Sequence, residues 1–282
     1  MTEWVPEGVD VTAPNAARAY DFALGGFHNF EVDRQFVTEA ARIWPEVIEL
    51  AHVNRAFLGR AVRWLVDAGI RQFLDIGSGI PTLGNVHEVA QDVAPDCRVA
   101  YVDLDPVAVA HAQRILRDDP RSVAVRADLR DPASILGHRD VVGLLDLAEP
   151  TAVLMVAVLH FIEDDAEPPR IIREISDALV GGSFLAISHG VPALGTLAGQ
   201  AAVSQMYRRT PTAFRPRPVA QITGWLDGWE PVAPGIVPIN GWRPEPDECG
   251  AAPVAAVGVV ARKQPDGVIR TDYPPPTGQT PY

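Results

Sequence analysis

From residue 70 onward, short apolar segments alternate with helical ones, and this alternation constrains the fold more than any other feature of the sequence. The apolar segments predict strands at 72–76, 98–103, 122–126, 151–159 and 183–188. The helical patterns lie at 83–94, 106–117, 132–137 and 169–180, and residues 141–147 fit either a short strand or a buried turn. Strands separated by helices form right-handed crossovers, so the pattern predicts a mostly parallel sheet with helices on both faces.

The end of the chain departs from this alternation. Helices are predicted at 194–209 and 217–227, and two extended stretches follow at 230–239 and 254–262. Because no helical pattern separates the two stretches, they are typical of an antiparallel hairpin at the edge of a sheet.

The chain therefore divides into three parts. Residues 1–69 predict an N-terminal extension, in which a polar arm over 1–17 precedes helices at 33–44 and 54–66. Residues 70–263 form the Rossmann-like α/β domain that should bind the ligand. Residues 264–282 are rich in proline and predict an extended tail.

Composition limits the partners that the surface can bind. A formal net charge of −12 repels phosphate backbones, and the basic clusters at 207–209 and 214–217 are short, so nucleic acid is not expected. Cys97 and Cys249 stand at no metal-ligand spacing, so no metal is expected. The longest apolar run, 152–162, is too short to cross a bilayer. No signal-peptide pattern opens the sequence, which makes the cytoplasm the expected location.

A glycine-rich turn comes after the first strand of the alternating region. Asp75-Ile-Gly77-Ser78-Gly79 ends that strand and precedes a helical pattern. Glycines at such a turn let the backbone approach a ligand closely, and the helix after them presents unpaired N–H groups. A glycine pair alone is only moderately specific, so its interpretation depends on the residues at the ends of the neighbouring strands.

Two further acids stand at the ends of the next two strands. Asp103 ends the second strand at the distance from Gly79 that is usual for an acid that binds ribose hydroxyls, and Asp128 comes just after the third strand. Structural alternatives exist, because Asp75 could cap a helix or a turn, Asp105 before Pro106 could cap the next helix, and Asp128 could begin an Asx-turn. All of them at the carboxyl ends of successive parallel strands predict a nucleoside-containing ligand.

The turn also indicates which nucleoside is bound. A dinucleotide fingerprint needs a third glycine where this chain has Thr82, and the lysine loop of ATP-binding proteins is absent. The acid Asp75 suits the ammonium group of a methionine moiety better than a pyrophosphate. These features favour S-adenosylmethionine over NAD or ATP.

The chain resembles an S-adenosyl methyltransferase family that was long catalogued as a domain of unknown function. The matching segments cover nearly the whole chain and run in the order Ala17–Gly26, Asn29, Asp33–Arg34, Asn54–Leu58, Gln72–Thr82, Asn85–Glu88, Tyr101–Pro106, Ala157–Phe161 and Phe214–Arg217. The resemblance implies a class I methyltransferase fold, with a seven-strand sheet that ends in the antiparallel pair. Where the general class I pattern has a glycine, this chain has Pro81.

These observations together assign the expected cofactor site. The methionine end of S-adenosylmethionine should lie against the turn and the end of the fourth strand, the ribose against the second strand, and the adenine against the third. The cofactor-binding residues are accordingly expected to be Asp75, Gly77, Ser78, Gly79, Asp103, Leu104, Asp128, Leu129, Ala157 and Tyr20.

Candidates for the chemistry are fewer. His160 is predicted at the end of the fourth strand and could act as a base, or it could cap the strand. Tyr20 could close as a lid over the sulfonium by cation–π attraction, or belong to a buried brace that ties the arm to Arg55 and Asp33. Structural alternatives are at least as good for the remaining candidates, which are His87, His189, Trp225, Trp229 and Trp242.

The functional hypothesis is a methyltransferase that acts on a small molecule. The acidic surface fits a small methyl acceptor better than nucleic acid. Two rivals remain open at this point, a non-catalytic protein that senses S-adenosylmethionine or its demethylated product, and a nicotinamide oxidoreductase. Neither the acceptor nor the oligomeric state follows from the sequence.

Overall fold

The computed structural model describes residues 9–81, 84–192, 197–208, 210, 212–246 and 254–265. The alternating region and the end of the chain contain β1 Gln72–Ile76, α4 Val86–Val93, β2 Arg98–Asp103, α5 Pro106–Ile115, β3 Ser122–Arg126, α6 Pro132–Leu136, α7 Arg139–Leu144, β4 Ala152–Val156, α8 Glu167–Asp177, β5 Phe184–Gly190, α9 Leu197–Tyr207, α10 Val219–Thr223, β6 Trp229–Pro231, β7 Val237–Pro238 and β8 Ala256–Lys263. The bounds predicted for the first three strands are confirmed.

Three helices precede the sheet, and they are α1 Ala16–Ala23, α2 Glu31–Ile43 and α3 Glu46–Asp67. The side chain of Asn15 starts α1 by accepting hydrogen bonds from the N–H groups of Ala17 and Arg18, at 2.8 and 3.4 Å. Helix α1 begins inside the predicted arm, and α3 begins eight residues before the pattern that predicted it.

The strands form one sheet in the order β3-β2-β1-β4-β5-β8-β6. Strands β1 to β5 are parallel, while β8 pairs antiparallel with both β5 and β6. This path confirms the predicted seven-strand, mostly parallel sheet with an antiparallel end, and the two-residue β7 adds a further antiparallel pairing to β8. All the carboxyl ends of β1 to β5 therefore lie along one edge.

Other predicted elements also differ from the structure. Residues 141–147, predicted as a strand or a turn, belong mainly to α7, whose N-terminus the His138 side chain caps through the N–H of Asp140. Strand β4 ends at Val156 rather than at residue 159, because Ala157 has a φ of 57° and turns the chain. The extended stretch 230–239 is divided into β6 and β7.

The sheet buries a separate apolar cluster on each face. Helices α3 and α4 cover one face, where Phe57, Leu65 and Phe73 are completely buried. Helices α7, α8 and α10 cover the other face, over Leu74 and Met155. No described helix is long and apolar enough to span a membrane. The predicted tail lies outside the described residues except for Gln264 and Pro265.

Candidate functional site

A cavity of about 790 Å³ opens at the edge of the sheet where the parallel strands end. The glycine turn, the residues after β2, β3 and β4, and parts of α1, α2, α3 and α9 line it. Every residue predicted to bind the cofactor lies on its wall, and so does His160. The cavity is thus the place where the carboxyl ends of the strands meet the N-terminal helices.

The two glycines of the turn are required for different reasons. Gly77 has a φ of 73°, and a Cβ there would lie 2.3 Å from Cγ2 of Val158. Gly79 has a φ of 68°, but a Cβ there would meet no atom within 4 Å. The N–H groups of Gly77 and Ser78 both donate to the carbonyl of Val102, at 2.8 and 3.2 Å. The turn therefore packs tightly against β2 and the turn after β4 at Gly77, and leaves open space at Gly79.

Asp103 connects this turn to the end of β2. Its Oδ2 accepts a hydrogen bond from the N–H of Gly79 at 2.7 Å, and its Oδ1 accepts one from the N–H of Asp105 at 2.8 Å. Burial raises the pKa of Asp103 to about 6, against the two hydrogen bonds, which lower it. Each carboxylate oxygen keeps a further lone pair that can accept from a ligand hydroxyl.

Asp75 is a buried carboxylate without a hydrogen-bond donor among the described residues. Its side chain is 5% exposed, and burial raises its pKa to about 7, a rise that the Asp103 charge assists. The charge of Arg55 lowers the pKa in opposition. The Nε of Arg55 is itself buried and has no hydrogen-bond partner in the described part of the chain. An acid and a base thus line one end of the cavity with unused hydrogen-bonding capacity.

The residues after β2 and β3 differ in polarity. Leu104 is 47% exposed, and Leu129 is buried, and both lie on the cavity wall. Asp128 forms a two-point ion pair with Arg130, in which the guanidinium Nη2 lies 2.6 Å from Oδ2. Hydrogen bonding to Arg130 lowers the pKa of Asp128. Asp128 is therefore ionised, and Arg130 uses part of its hydrogen-bonding capacity. The two leucines offer apolar surface for a flat base.

A chain of hydrogen bonds joins α1 to the end of β4. The Tyr20 hydroxyl donates to the carbonyl of Ala51 at 3.0 Å and accepts from the side-chain amide of Asn54 at 2.9 Å. The oxygen of Asn54 accepts from the hydroxyl of Ser188. That hydroxyl in turn accepts from the N–H of Ala157 at 2.9 Å, which holds the positive-φ turn after β4.

Tyr20 is thus anchored to α3 while its ring lies on the cavity wall. The guanidinium carbon of Arg55 lies 5.7 Å from the centre of that ring. These contacts are those of a buried brace, which the sequence analysis gave as the alternative to a mobile lid. A role of Tyr20 at a bound sulfonium stays a prediction.

Other residues of the N-terminal block are also buried and paired. Arg18 lies 3.2 Å from Asp33, with both side chains at most 2% exposed. Asp21 accepts from the N–H of His28 and from the side chain of Asn29, each at 2.8 Å. A Cβ on Gly26 would lie 2.0 Å from Asp21, so a glycine is required there. The block therefore forms a compact wall over the cavity.

His160 does not lie on β4 as predicted, because the strand ends at Val156 and His160 falls in a 3-10 turn over Leu159–Phe161. The ring is 8% exposed, and burial lowers its pKa well below the usual value, so it is neutral. Its Nδ1 accepts from the N–H of Gly190 at 3.4 Å, which places the proton of the neutral ring on Nε2. A ring in this tautomer donates a hydrogen bond more readily than it removes a proton.

The two other histidines that were candidates for the chemistry, His189 and His87, have structural partners. His189 lies within β5, not after it, and its Nδ1 is 2.7 Å from the carbonyl of Gly190. In α4, the Nδ1 and the backbone N–H of His87 both lie 2.7 Å from the Tyr101 hydroxyl. Burial lowers the pKa of both histidines, that of His189 to about 4.

The tryptophans considered for an acceptor pocket are core residues instead. Trp225 is 5% exposed, whereas Trp229 and Trp242 are completely buried. None of them lines the cavity, so the core alternative is confirmed.

Sequence reasoning did not assign Arg55, Asn54 or Ser188 to the site. Arg55 and Asn54 stand next to each other on α3, and their approach depends on how that helix crosses the strand ends. Ser188 is an interior residue of β5 with no distinctive pattern around it. The helical spacing of α3 was the available signal, since it places Asn54 and Leu58 on one face.

Comparison with known families gives one match across the chain. The model of a family described as S-adenosyl methyltransferase matches residues 2–264. No curated protein matches the chain.

Two solved structures are similar over nearly their whole length. A DUF574 family protein from Streptomyces avermitilis MA-4680 is 38% identical, with 90% of this chain and 99% of that one covered and a TM-score of 0.86. A protein from Thermobifida fusca YX, named as a candidate methyltransferase, is 39% identical, with 93% and 100% covered and the same TM-score of 0.86. The mitomycin 7-O-methyltransferase is 19% identical, covers 87% and 67%, and has a TM-score of 0.50, which reflects the shared fold.

Proposed function

Since this chain belongs to the S-adenosyl methyltransferase family, we propose that it methylates a small molecule inside the cavity at the carboxyl edge of its sheet. The membership makes it an S-adenosylmethionine-dependent methyltransferase with a class I fold, and it confirms the resemblance seen in the sequence. The family membership gives the reaction, and the small-molecule acceptor is what we propose in addition. One observation carries it, which is the cavity of about 790 Å³ walled by the N-terminal helices. Volumes of about 300–1,000 Å³ are typical of small-molecule sites.

The residues at the turn fit the methionine end of the cofactor. Asp75 has no donor among the described residues, and Arg55 has a buried Nε without a partner there. An ammonium group and a carboxylate would satisfy these two side chains respectively. The open space at Gly79 gives the ligand close access to the backbone. We therefore assign Asp75 and Arg55 to the two charged groups of the amino-acid end.

The order of the strands assigns the rest of the cofactor. Asp103 ends β2 with one lone pair left on each oxygen, which suits two ribose hydroxyls. Leu104 and Leu129 offer apolar surface to the adenine ring, and Asp128 is the acceptor for its amino group in exchange for part of the Arg130 pairing. From β3 to β1, the adenine, ribose and methionine parts then lie in the order of the sheet.

The bound cofactor supplies an electrophilic methyl group. The chain has three tasks: the strand ends orient the reactants, α1 to α3 exclude water, and Ser188 holds the turn at Ala157. His160 lines the same cavity with its proton on Nε2, so we assign it to orienting the acceptor by donating a hydrogen bond. No described contact makes it a general base.

Transfer of label from the cofactor tests the proposed function. Protein incubated with methyl-tritiated S-adenosylmethionine and a pool of small metabolites should release tritium into small organic products. Cofactor binding is measured alongside by calorimetry. Tight binding with no transfer to any small molecule contradicts the proposal and supports the sensor instead. Transfer only to protein or nucleic acid would also contradict it.

Cofactor affinity is expected to rise with pH between 6 and 8. Below its pKa of about 7 Asp75 is protonated and cannot pair with an ammonium group, whereas above it the side chain is ionised. The dissociation constant of S-adenosylhomocysteine should therefore be roughly ten-fold larger at pH 6 than at pH 8, since the ionised fraction changes by about that factor. Calorimetric titrations at five pH values measure the effect.

Two variants distinguish the titration of Asp75 from that of Asp103. Asp75→Asn has no charge to gain, so its affinity should be lower at pH 8 and nearly independent of pH above 7. Asp103 has a pKa of about 6, and its charge assists the raised pKa of Asp75. Asp103→Asn should therefore keep a pH dependence of binding but move it to lower pH. A pH dependence that survives in Asp75→Asn would show that another group is responsible.

A further inference from the structure

The charged residues of the cavity wall come from some of its elements and not from others. Among the described residues, the charged ones that line the cavity come from 10–18, from Arg55, from the ends of β1 to β3 up to Arg130, and from 163–167. The lining residues from α2, α9, β5 and 212–214 are all apolar or neutral. These four segments thus add no formal charge to the described wall, whereas Glu163 and Asp164, just after Phe161, are acidic.

Aromatic rings from α2, α9, residue 214 and residues 160–161 lie close together on the cavity wall. We define the aromatic chamber as the space bounded by Phe36, His160, Phe161, Tyr207 and Phe214, all of which line the cavity. The ring centre of Tyr207 lies 4.9, 5.7 and 5.6 Å from those of Phe36, Phe161 and Phe214. That of His160 lies 4.5 and 4.9 Å from those of Phe161 and Phe214. Rings at these spacings present edges and faces that pair favourably with a further ring.

The wall of the chamber is held in place next to Phe214. The N–H of Arg215 donates to the carbonyl of His160 at 2.8 Å, and the N–H of Arg217 donates to that of Gly190 at 3.0 Å. Both guanidinium groups also bind Asp165, at 2.6 to 2.8 Å. A ring fixed in this way loses little freedom when a ligand arrives, which favours tight binding of a flat partner.

The chamber also holds polar groups that can pair with a ligand. The hydroxyl of Tyr207 makes no hydrogen bond with any described residue, and burial raises its pKa to about 12, so it stays protonated. A neutral hydroxyl or amino group of a ligand could pair with it. A carboxylate or phosphate would lose its hydration without gaining a counter-charge there.

We propose that the methyl acceptor is an uncharged small molecule with a flat aromatic ring, held in the aromatic chamber with a hydroxyl or amino group hydrogen-bonded to Tyr207. The inference rests on the proposed function, whose acceptor it specifies. In the transfer, the acceptor's oxygen or nitrogen bonds to the methyl carbon while the carbon–sulfur bond breaks. The sulfur keeps that electron pair, and the acceptor's proton passes to solvent water as the methylated product leaves the cavity.

Binding of three matched probes tests the aromatic preference directly. The protein is saturated with S-adenosylhomocysteine and titrated by calorimetry with 2-naphthol, with its saturated analogue decahydro-2-naphthol, and with 2-naphthoate. The expected result is binding of 2-naphthol at least ten-fold tighter than that of either other probe. Failure of 2-naphthol to bind, or equal binding of the saturated alcohol or the carboxylate, overturns the inference.

Variants locate the preference in the chamber. Phe214→Leu keeps an apolar side chain but removes the ring, and Tyr207→Phe keeps the ring but removes the hydroxyl; each should weaken 2-naphthol binding at least five-fold. Phe27→Leu is the matched control, because Phe27 is 91% exposed and lies off the cavity. Thermal melts show whether Phe214→Leu folds, and Tyr207→Phe keeps the test valid if it does not. Unchanged binding in Tyr207→Phe removes Tyr207 from the proposal.

The two experiments separate the aromatic acceptor from the methyl transfer itself. Aromatic preference without label transfer to any small molecule would support the chamber as an aromatic-binding site and reject its role in methyl transfer. Label transfer to aliphatic or charged products without aromatic preference would do the opposite.

Discussion

Replacing Asp103 by asparagine should weaken binding of S-adenosylhomocysteine by roughly one hundred-fold, or about 2.7 kcal/mol. Asp103 accepts from the N–H groups of Gly79 and Asp105, and its remaining lone pairs are assigned to the ribose. An amide has one acceptor oxygen instead of two, and its NH2 group would face one of those backbone N–H groups. The variant therefore loses a ligand contact and also disturbs the turn that shapes the site.

Calorimetry measures this change, and Asp131→Asn provides the matched control. Asp131 is exposed, lies off the cavity, and caps α6 by accepting from the N–H of Ser134. Asparagine caps helices about as well as aspartate, so this variant should bind the cofactor product normally. A loss of less than three-fold in Asp103→Asn would exclude Asp103 as the ribose-binding residue.

Gly77→Ala should lower the free energy of unfolding by about 3 kcal/mol, because a steric clash adds to backbone strain. The new Cβ would lie 2.3 Å from Val158, and alanine at a φ of 73° is strained in addition. Gly79→Ala makes the same change at a φ of 68° with no atom within 4 Å, and should cost only about 1 kcal/mol. Urea unfolding of the two variants measures the difference.

A second substitution tests the cause. Val158→Gly removes Cβ, Cγ1 and Cγ2, the three atoms that the new methyl group would meet. The double variant Gly77→Ala with Val158→Gly should therefore recover more than half of the loss, after correction for Val158→Gly alone. Equal instability of Gly77→Ala and Gly79→Ala would show that backbone strain, and not the contact with the turn after β4, makes the first glycine necessary.

The first three strands could be predicted from the sequence because most of their side chains are buried, whichever face of the sheet they lie on. Strands β1, β2 and β3 are mostly apolar runs with polar residues at their ends, so their bounds follow from residue type. The end of β4 does not, since the apolar run continues past Val156. Its end depends on the positive φ of Ala157, which Ser188 of β5 stabilises across the sheet.

The site residues also fall into two groups, those that the strand pattern predicts and those that depend on tertiary packing. Asp75, Asp103 and Asp128 lie at the ends of successive parallel strands, and topology alone places them on one edge. Arg55 and Tyr207 come from α3 and α9, whose positions depend on packing between helices and not on local pattern. The aromatic chamber is a product of that packing, so no linear motif predicts it.

Strand β8, near the end of the described residues, packs against α3, which comes much earlier in the chain. It lies between β5 and β6, and its Gly258 leaves just enough room for Phe57 of α3, since a Cβ there would be 2.7 Å from the ring. During synthesis at about 5–20 residues per second, α3 leaves the ribosome roughly ten seconds or more before β8. For that interval the apolar face of α3 lacks its final cover. The nascent chain can complete this core only after residues 256–263 have left the ribosome.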